Sequence, residues 1–392
     1  MSLASHPDTL NLAGLEYRVC TRCVMDTSDP EISFDESGVC NHCRYFDRVT
    51  LHEWHPDEND LNRLNQEVSR IKELGRGQEY DCILGLSGGV DSSYMAIKIA
   101  ELGLRPLVVH VDGGWNSEIA VSNIERVVTH CGFELYTHVM DWEDMRDLQL
   151  AYLRAGVSNQ DVPQDHAFFA NLYHFAIENN IRTVLSGGNI ATEAIFPASW
   201  HGSAMDAINL KAIHKKWGDG KLGFYRTISF WQYYLVYPFF RKMRVSRPLN
   251  LMPYNRDEAI SELEEKCGYR PYGRKHGESL FTRFFQNYYL PEKFGFDKRR
   301  PHLSSLIVSG QMTREEAMAE LEEPLYTNEE LELDKEFFCK KLGISTDELA
   351  FYMSQPNKHY TDYANWDAYY SGMKRVQAGL ERLLGRRVTA YS

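Results

Sequence analysis

The residues that could do chemistry fall in a few groups, and the densest is Ser87-Gly88-Gly89-Val90-Asp91-Ser92-Ser93. An apolar run, Cys82 to Leu86, precedes it and is long enough for a buried strand. A helix running to about Leu102 should follow it. Paired glycines favour a tight turn, and Asp91, Ser92 and Ser93 are side chains of the kind that cap a helix. A glycine turn opening on a helix N-terminus is an anion cradle, because free backbone N–H groups and the positive end of the helix dipole both favour a phosphate. The loop lacks the lysine of G-x-x-x-x-G-K-[ST] and does not read G-x-G-x-x-G. The ATPase P-loop and the dinucleotide fingerprint are thereby excluded at this position.

A second group is Cys20-x2-Cys23 and Cys40-x2-Cys43, a C-x2-C-x16-C-x2-C spacing that reads as a four-thiolate zinc site. Two such knuckles bring soft ligands together tetrahedrally, and closed sites of this kind are structural. His42 lies inside the second knuckle and could compete as a ligand. Phe34, Asp35, Ser37 and Gly38 suggest a turn with strands on either side, as in a zinc ribbon. Chance pairs, disulfides or a redox CxxC are the other readings, the last requiring a motif that opens a helix after a strand. A third candidate is Asp112, at the end of the apolar run after Arg105. It suits an adenosine pocket, or a cap for the next helix. A fourth is a basic cluster, Arg270, Arg274, Lys275, Arg283, Lys293, Lys298, Arg299 and Arg300. These charges interleave with Gly, Tyr and His rather than forming one helix face. Arg274-Lys275-His276 is the part best suited to an anion such as pyrophosphate or a phosphorylated substrate.

The elements that must position these groups alternate. Strands are expected at Cys82–Leu86, from Arg105, at Glu134–Met140 and from Thr183, with helices from Asn116 to Cys131 and Asp165 to Asn179. Strands separated by helices imply parallel pairing and a doubly wound α/β sheet, whose ligands sit beyond the carboxyl ends of the strands. Residues 1–16 read as a flexible N-terminus, 17–46 as the ribbon, 47–79 as a helical linker and 80–195 as the nucleotide-binding domain. Residues 196–312 hold an aromatic-rich insertion and the basic region, and 313–392 are mostly acidic and helical. The aromatics Trp200, His201, Trp217, Phe224, Tyr225, Phe230, Trp231, Tyr233 and Tyr234 read as a packed helical insertion, or in part as a sugar pocket or partner interface.

The chain has 392 residues, a net charge of −12 and eight cysteines. The charge argues against a general nucleic-acid surface. No signal-peptide pattern opens the chain and no apolar run reaches the ~18 residues of a membrane span. Unbridged cysteines with paired knuckles suit a reducing cytoplasm.

The loop Ser87–Ser93 resembles the PP-loop of the ATP pyrophosphatases, the superfamily of GMP, asparagine and NAD synthetases and of tRNA thiolases. More narrowly, CTRCVMDTSDPEISFDESGVCNHC, LGLSGGVDSSY and YGRKHGESLFTRFFQNYYLPEKFGFDKRRPHLSSLIVSGQMTREEA together resemble the N-acetyl sugar amidotransferases of bacterial surface-polysaccharide (O-antigen or nonulosonic acid) biosynthesis. The resemblance implies an adenine nucleotide alpha hydrolase-like fold and cleavage of ATP between its α- and β-phosphates. An acetamido oxygen of a nucleotide-linked sugar is adenylated, and ammonia displaces AMP to leave an acetamidino group. Ser87, Gly88, Gly89, Ser92 and Ser93 would cradle pyrophosphate, Asp91 would hold Mg²⁺ and Lys275 would stabilise charge. Ser186, Gly187, Gly188 and Asn189 match a loop that contacts nucleotide in this superfamily, and Glu193 would touch Mg²⁺ or substrate. The cofactors implied are ATP, Mg²⁺ and Zn²⁺. No cysteine here has a glutaminase context, since Ser2 follows Met1 and none sits in G-x-C-x-G. Ammonia is therefore expected from a partner glutaminase, which the resemblance pairs with an imidazole-glycerol-phosphate-synthase-like barrel subunit. The rival is a tRNA thiolase, which shares knuckles and PP-loop but needs active-site cysteines or an iron–sulfur cluster.

Overall fold

The computed structural model describes residues 16–55, 58–272 and 277–384. Arg274, Lys275 and His276 lie outside the described residues. The first long α-helix, α1 (Glu58–Leu74), leads into β1 (Cys82–Gly85), α2 (Val90–Glu101), β2 (Pro106–Asp112), α3 (Glu118–Cys131) and β3 (Leu135–Val139). The chain continues through α4 (Trp142–Ala155), α5 (Val162–Glu178), β4 (Thr183–Leu185) and β5 (Arg244–Ser246). The strands form one sheet in the order β3-β2-β1-β4-β5. Every pairing is parallel, with Leu84 opposite Val108 on one side and opposite Leu185 on the other. The α/β sheet read from the sequence is therefore present.

β1 is an unbroken apolar run because both of its faces are covered. Cys82, Leu84 and Leu86 enter one core with Val108, Leu185 and residues of α1, α2 and α3. Ile83 enters the opposite core with Leu107, Val109, Val184 and α5. The alternation follows the two-residue period of a strand. β3 forms an edge of the sheet, and there Leu135, Tyr136 and Val139 remain exposed.

Several local expectations are corrected. Asp91, Ser92 and Ser93 do not cap α2; its N-cap is Gly89, with no side-chain cap at all. Between the knuckles no strand pair forms. Isolated bridges join Val19 to Asp26 and Phe34 to Cys40, because the Asp35 carboxylate closes a tight turn by accepting from the N–H groups of Ser37 and Val39. The second knuckle runs into a continuous helical segment, Asn41–Tyr45 followed by a π-helical stretch Phe46–Thr50 and a last turn Leu51–Glu53. The aromatic segment around Gln232–Phe240 is a wide π-helical stretch containing Pro238, whose missing N–H rules out regular α-helical bonding there.

After β5 come α6 (Arg256–Cys267), α7 (Leu280–Phe284), α8 (Arg299–Val308), α9 (Arg314–Glu322), α10 (Asn328–Leu342), α11 (Thr346–Ser354) and α12 (Asp367–Leu384). Thr313, Thr327 and Ser345 open α9, α10 and α11 with reciprocal capping boxes. The described helices include none long and apolar enough to cross a membrane.

Candidate active site at the glycine loop

A cleft of about 1270 Å³ opens beyond the carboxyl ends of the central strands, β1 and its neighbour β4. Ser87, Gly89, Asp91 and Ser92 line it, together with Ser186, Gly187, Gly188, Asn189 and Glu193. The loop holds its own shape. Ser92 Oγ donates to Gly89 O (3.3 Å) and lies 3.1 Å from Ser87 Oγ, which accepts from Gly89 N at 3.3 Å. Gly88 has φ +84°, and a Cβ there would stand 2.8 Å from Ala120 O of α3. Its carbonyl faces away from the cleft and accepts from the hydroxyls of Tyr269 and Tyr272, each at 3.0 Å. A Cβ on Gly187 would lie 3.1 Å from Ser92 N, so the loop after β4 packs directly onto the start of α2.

The candidate residues differ in what they offer. Asp91 lines the cleft and its Oδ1 accepts from Tyr254 Oη. Burial, and then the Asp91 charge, push the Tyr254 phenol far above its ordinary value, so it stays a donor. Ser93 is fully buried and contributes no hydroxyl to the cleft; its Oγ has no hydrogen-bond partner. Asp112 ends β2 as expected, but its Oδ1 accepts from Gly114 N (2.7 Å) and Asn116 Nδ2 (2.9 Å), and Ser117 is the residue that caps α3. Its neighbours Gly113 and Asn116 line the cleft instead. Asn189 caps the short helix Ile190–Glu193 by accepting from Thr192 N at 3.0 Å. Tyr272 and Glu278, which flank the Arg274-Lys275-His276 stretch, both line the cleft.

Most of the basic cluster is structural. Arg283 pairs with Asp334, Arg299 with Asp297 and Arg300 with Asp26. Lys293 donates to the carbonyls of Tyr352, Met353 and Gln355. Lys298 and Arg299 are the described members that line the cleft; the Lys298 ammonium is 4.0 Å from the Phe196 ring centroid and 3.2 Å from His201 Nε2. Burial, then that ammonium, hold His201 well below its ordinary value and therefore neutral. Tyr254, Tyr269, Tyr272, Glu278 and Asp161 were not singled out from the sequence. The two tyrosines and Glu278 flank or fall within the basic motif, which marked the region without marking them. None of the described residues that line the cleft is a cysteine, and burial raises the thiols of Cys82, Cys131, Cys267 and Cys339.

Cys20, Cys23, Cys40 and Cys43 converge, all fully buried, with their sulfurs within 4.8 Å of one another. Cys23 Sγ and Cys40 Sγ are 3.7 Å apart. Four sulfurs about 2.3 Å from a zinc ion would be separated by about 3.8 Å, so the set fits zinc. Backbone N–H groups of Cys40 (3.2 Å), Arg22 (3.4 Å) and Met25 (3.4 Å) point at cysteine sulfurs, as thiolates require. His42 is no ligand; its Nε2 lies 2.7 Å from Asp29 Oδ2. The Arg314 guanidinium donates to the carbonyls of Cys20 and Cys23, so the knuckle braces α9.

Residues 278–377 match the family model described as LPS biosynthesis protein WbpG-like, C-terminal domain. The uncharacterized protein MJ1599 of Methanocaldococcus jannaschii is 28% identical over 131 residues, 32% of this chain and 44% of that protein; the chain spans less than half of that relative's length. Among solved structures, NMN synthetase from Francisella tularensis is 12% identical with a TM-score of 0.35, over 78% of this chain and 99% of that one. NAD+ synthetase from Burkholderia pseudomallei is 14% identical with a TM-score of 0.32, over 76% and 95%. At such scores the likeness is loose and nothing functional follows from it. The glycine loop thus stands at the carboxyl end of a parallel α/β sheet, and residues 278–377, about a quarter of the chain, are similar to the WbpG-like C-terminal domain of LPS biosynthesis proteins.

Proposed function

We propose that the chain is an ATP-dependent amidotransferase of lipopolysaccharide biosynthesis. In this reading it adenylates the acetamido oxygen of a nucleotide-linked N-acetyl sugar, then forms an acetamidino group with ammonia and releases AMP and pyrophosphate. The observation that carries the reading is the shared cleft. The PP-loop residues Ser87, Gly89 and Ser92 form one wall, and Glu278, Thr282, Lys298 and His302 of the WbpG-like stretch form another. A nucleotide held by the loop therefore faces the part of the chain that matches the LPS family.

An amide carbonyl is a poor electrophile, so its oxygen must first become a leaving group. The carbonyl oxygen bonds to the α-phosphorus of ATP, pyrophosphate departs, and the acetamido nitrogen releases its proton. Gly89 N and the uncapped start of α2 face the departing pyrophosphate and supply fixed positive potential. Asp91, aligned by the Tyr254 hydroxyl, would hold Mg²⁺, which supplies charge neutralisation on the phosphates. Lys275 would add to that neutralisation. Gly187 lets the loop after β4 approach α2 closely and close the nucleotide side of the cleft. Ammonia would come from a partner glutaminase with its imidazole-glycerol-phosphate-synthase-like barrel subunit, and the reaction would run in the cytoplasm.

The test is to incubate the chain with ATP, Mg²⁺, ammonium and a panel of UDP- or CMP-linked acetamido sugars, and to read products by mass spectrometry. AMP formation that depends on the sugar, with a product one mass unit lighter than the substrate, is expected. AMP formation that depends on tRNA instead would replace this reading with the thiolase.

A further inference from the structure

Away from the glycine loop, the cleft wall carries a carboxyl group that adenylation does not use. Asp161 begins α5, yet its side chain makes no cap bond. It is only 8% exposed and lines the cleft. Both of its side-chain hydrogen bonds fall on Oδ1, from Thr282 Oγ1 at 3.0 Å and Gln164 Nε2 at 3.1 Å. Oδ2 receives none from the described residues, and it is absent from the sealed, partnerless atoms of the core, so it faces the cleft. Among the described residues, the charged groups that face Asp161 are Asp165, one turn along α5, and Lys298, from the segment before α8. The Lys298 ammonium also lies against the Phe196 ring and His201 Nε2. Burial, then the Asp165 charge, push the Asp161 carboxyl up to about 8, and Thr282 and Lys298 only partly offset this.

Among the described residues the Lys298 charge only partly offsets the cost of burying an ionised Asp161, and a small cation docking on its open oxygen relieves the remainder. The position suits one kind of ligand. Thr282 follows Glu278 and Ser279, which clasp the start of α3 through Ser117 N and Asn116. Gln164 abuts Gly113 at the end of β2, 3.3 Å from where a Cβ would stand. Asp161 is thus tied to the same strand ends that present the nucleotide.

We propose that Asp161 is the ammonium subsite of this cleft and the acceptor of the proton that ammonium must lose before it can attack. The assignment rests on the amidotransferase reading for the fate of the nitrogen, and on geometry alone for the binding of ammonium. One ammonium proton passes to Asp161 Oδ2 and then to solvent, which frees the nitrogen lone pair. The N–C bond forms at the adenylated carbon, and the C–O bond to AMP breaks with its electron pair leaving on the AMP phosphate. The three remaining ammonia protons stay on the product, an amidinium cation, beside Asp161 and Asp165.

Asp161→Asn keeps an oxygen for Thr282 and Gln164 to donate to, so it should fold. The first arm uses ammonium alone as the probe: melting of both proteins in ammonium chloride against equal tetramethylammonium chloride at pH 8. A rise in Tm specific to ammonium in the native protein, absent in Asp161→Asn, is expected. An equal response of the two proteins overturns the proposal. The second arm compares sugar-dependent pyrophosphate–ATP exchange with amidine formation at fixed free ammonia. Exchange should stay within about twofold while amidine formation falls about 100-fold or more, the usual contribution of a general base. Loss of both steps to the same extent overturns the proton role. A native protein that exchanges with no acetamido sugar would refute the amidotransferase reading, and the first arm would still decide the ammonium site.

Discussion

Two adjacent glycines of the PP-loop should respond to the same substitution in opposite ways. Gly88 has φ +84°, a conformation that costs an L-residue about 1–2 kcal/mol. A Cβ there would also stand 2.8 Å from Ala120 O and 3.3 Å from Ala120 C, atoms of helix backbone that cannot swing aside. Overpacking of this kind typically adds about 1–3 kcal/mol. Gly88→Ala should therefore cost about 2–5 kcal/mol, a large part of the stability of an ordinary fold, and lower Tm by roughly 2–6 °C in a chain of this length. Gly89 has φ −70°, open to any residue, and its Cβ would meet only Ser87 Oγ and Glu278 Oε1, each at 3.3 Å. Both are ends of side chains that can turn, so Gly89→Ala should cost only the N-cap preference of glycine over alanine, about 0.5–1 kcal/mol. Its methyl group, however, projects into the cleft beside the N–H that a phosphate oxygen must approach to about 2.9 Å. Losing one charge-assisted bond costs about 1.5–3 kcal/mol, or roughly a 10- to 150-fold weaker pyrophosphate or ATP complex. Thermal melts and calorimetric titration with ATP separate the two effects. Equal Tm losses in both variants, or undiminished ATP affinity in Gly89→Ala, would refute the assignment of the loop's inner and outer faces.

Asp91→Asn should abolish AMP release while leaving the fold intact, because its carboxylate lines the cleft and the amide oxygen can still accept from Tyr254; near-normal pyrophosphate release by the folded variant would remove the metal role. Freshly purified, unchelated protein should contain one zinc per chain. Cys20→Ser should lower stability or solubility more than it alters ATP binding, since closed zinc sites contribute folding energy; elemental analysis without zinc would count against this, and an iron–sulfur absorption spectrum would favour a thiolase. Asp161 should set a slope in stability with pH. Its folded value near 8 lies above the unfolded one near 4, so the native state binds the extra proton between them, and stability present below pH 4 is lost as pH rises to 8. Asp161→Asn should therefore gain stability over the native protein by a margin that widens from pH 5 to pH 9. A margin independent of pH in urea melts would place the Asp161 titration elsewhere.

What the sequence made legible was local. The strand, turn and helix around Gly88 are written in one short run of apolar residues, glycines and helix formers, and the cysteine spacing needs no partner from elsewhere to be read. The three tyrosines on the loop are different. Tyr254 meets Asp91, and Tyr269 and Tyr272 meet Gly88, across more than 160 residues of chain. A phenol becomes a loop anchor only through packing that no short window contains. β5 shows the same limit, since Arg244, Val245 and Ser246 carry no strand pattern and are a strand because β4 offers an open edge. Asp161 reads as one more polar residue beside Asn159 and Asp165, and its burial comes from α7 folding over it.

The basic cluster shows how charge can mislead when partners are hidden. Arg283, Arg299 and Arg300 read as members of one basic cluster, yet each is paired with a carboxylate, Asp334, Asp297 and Asp26, two of which are distant in sequence. Once paired, they mark a different design. Arg300 ties α8 to Asp26 and to Val24 O beside the first knuckle, and Arg314 ties α9 to the carbonyls of Cys20 and Cys23. Val24 in turn packs with Leu303 and Leu306 of α8. The same helix places His302 in the cleft wall, with Lys298 at its N-cap. The four-cysteine cluster therefore stands behind the wall of the cleft, and none of its cysteines lines it. A zinc ion held there would be structural and still be felt at the cleft, through the rigidity of α8 rather than through any bond to a ligand.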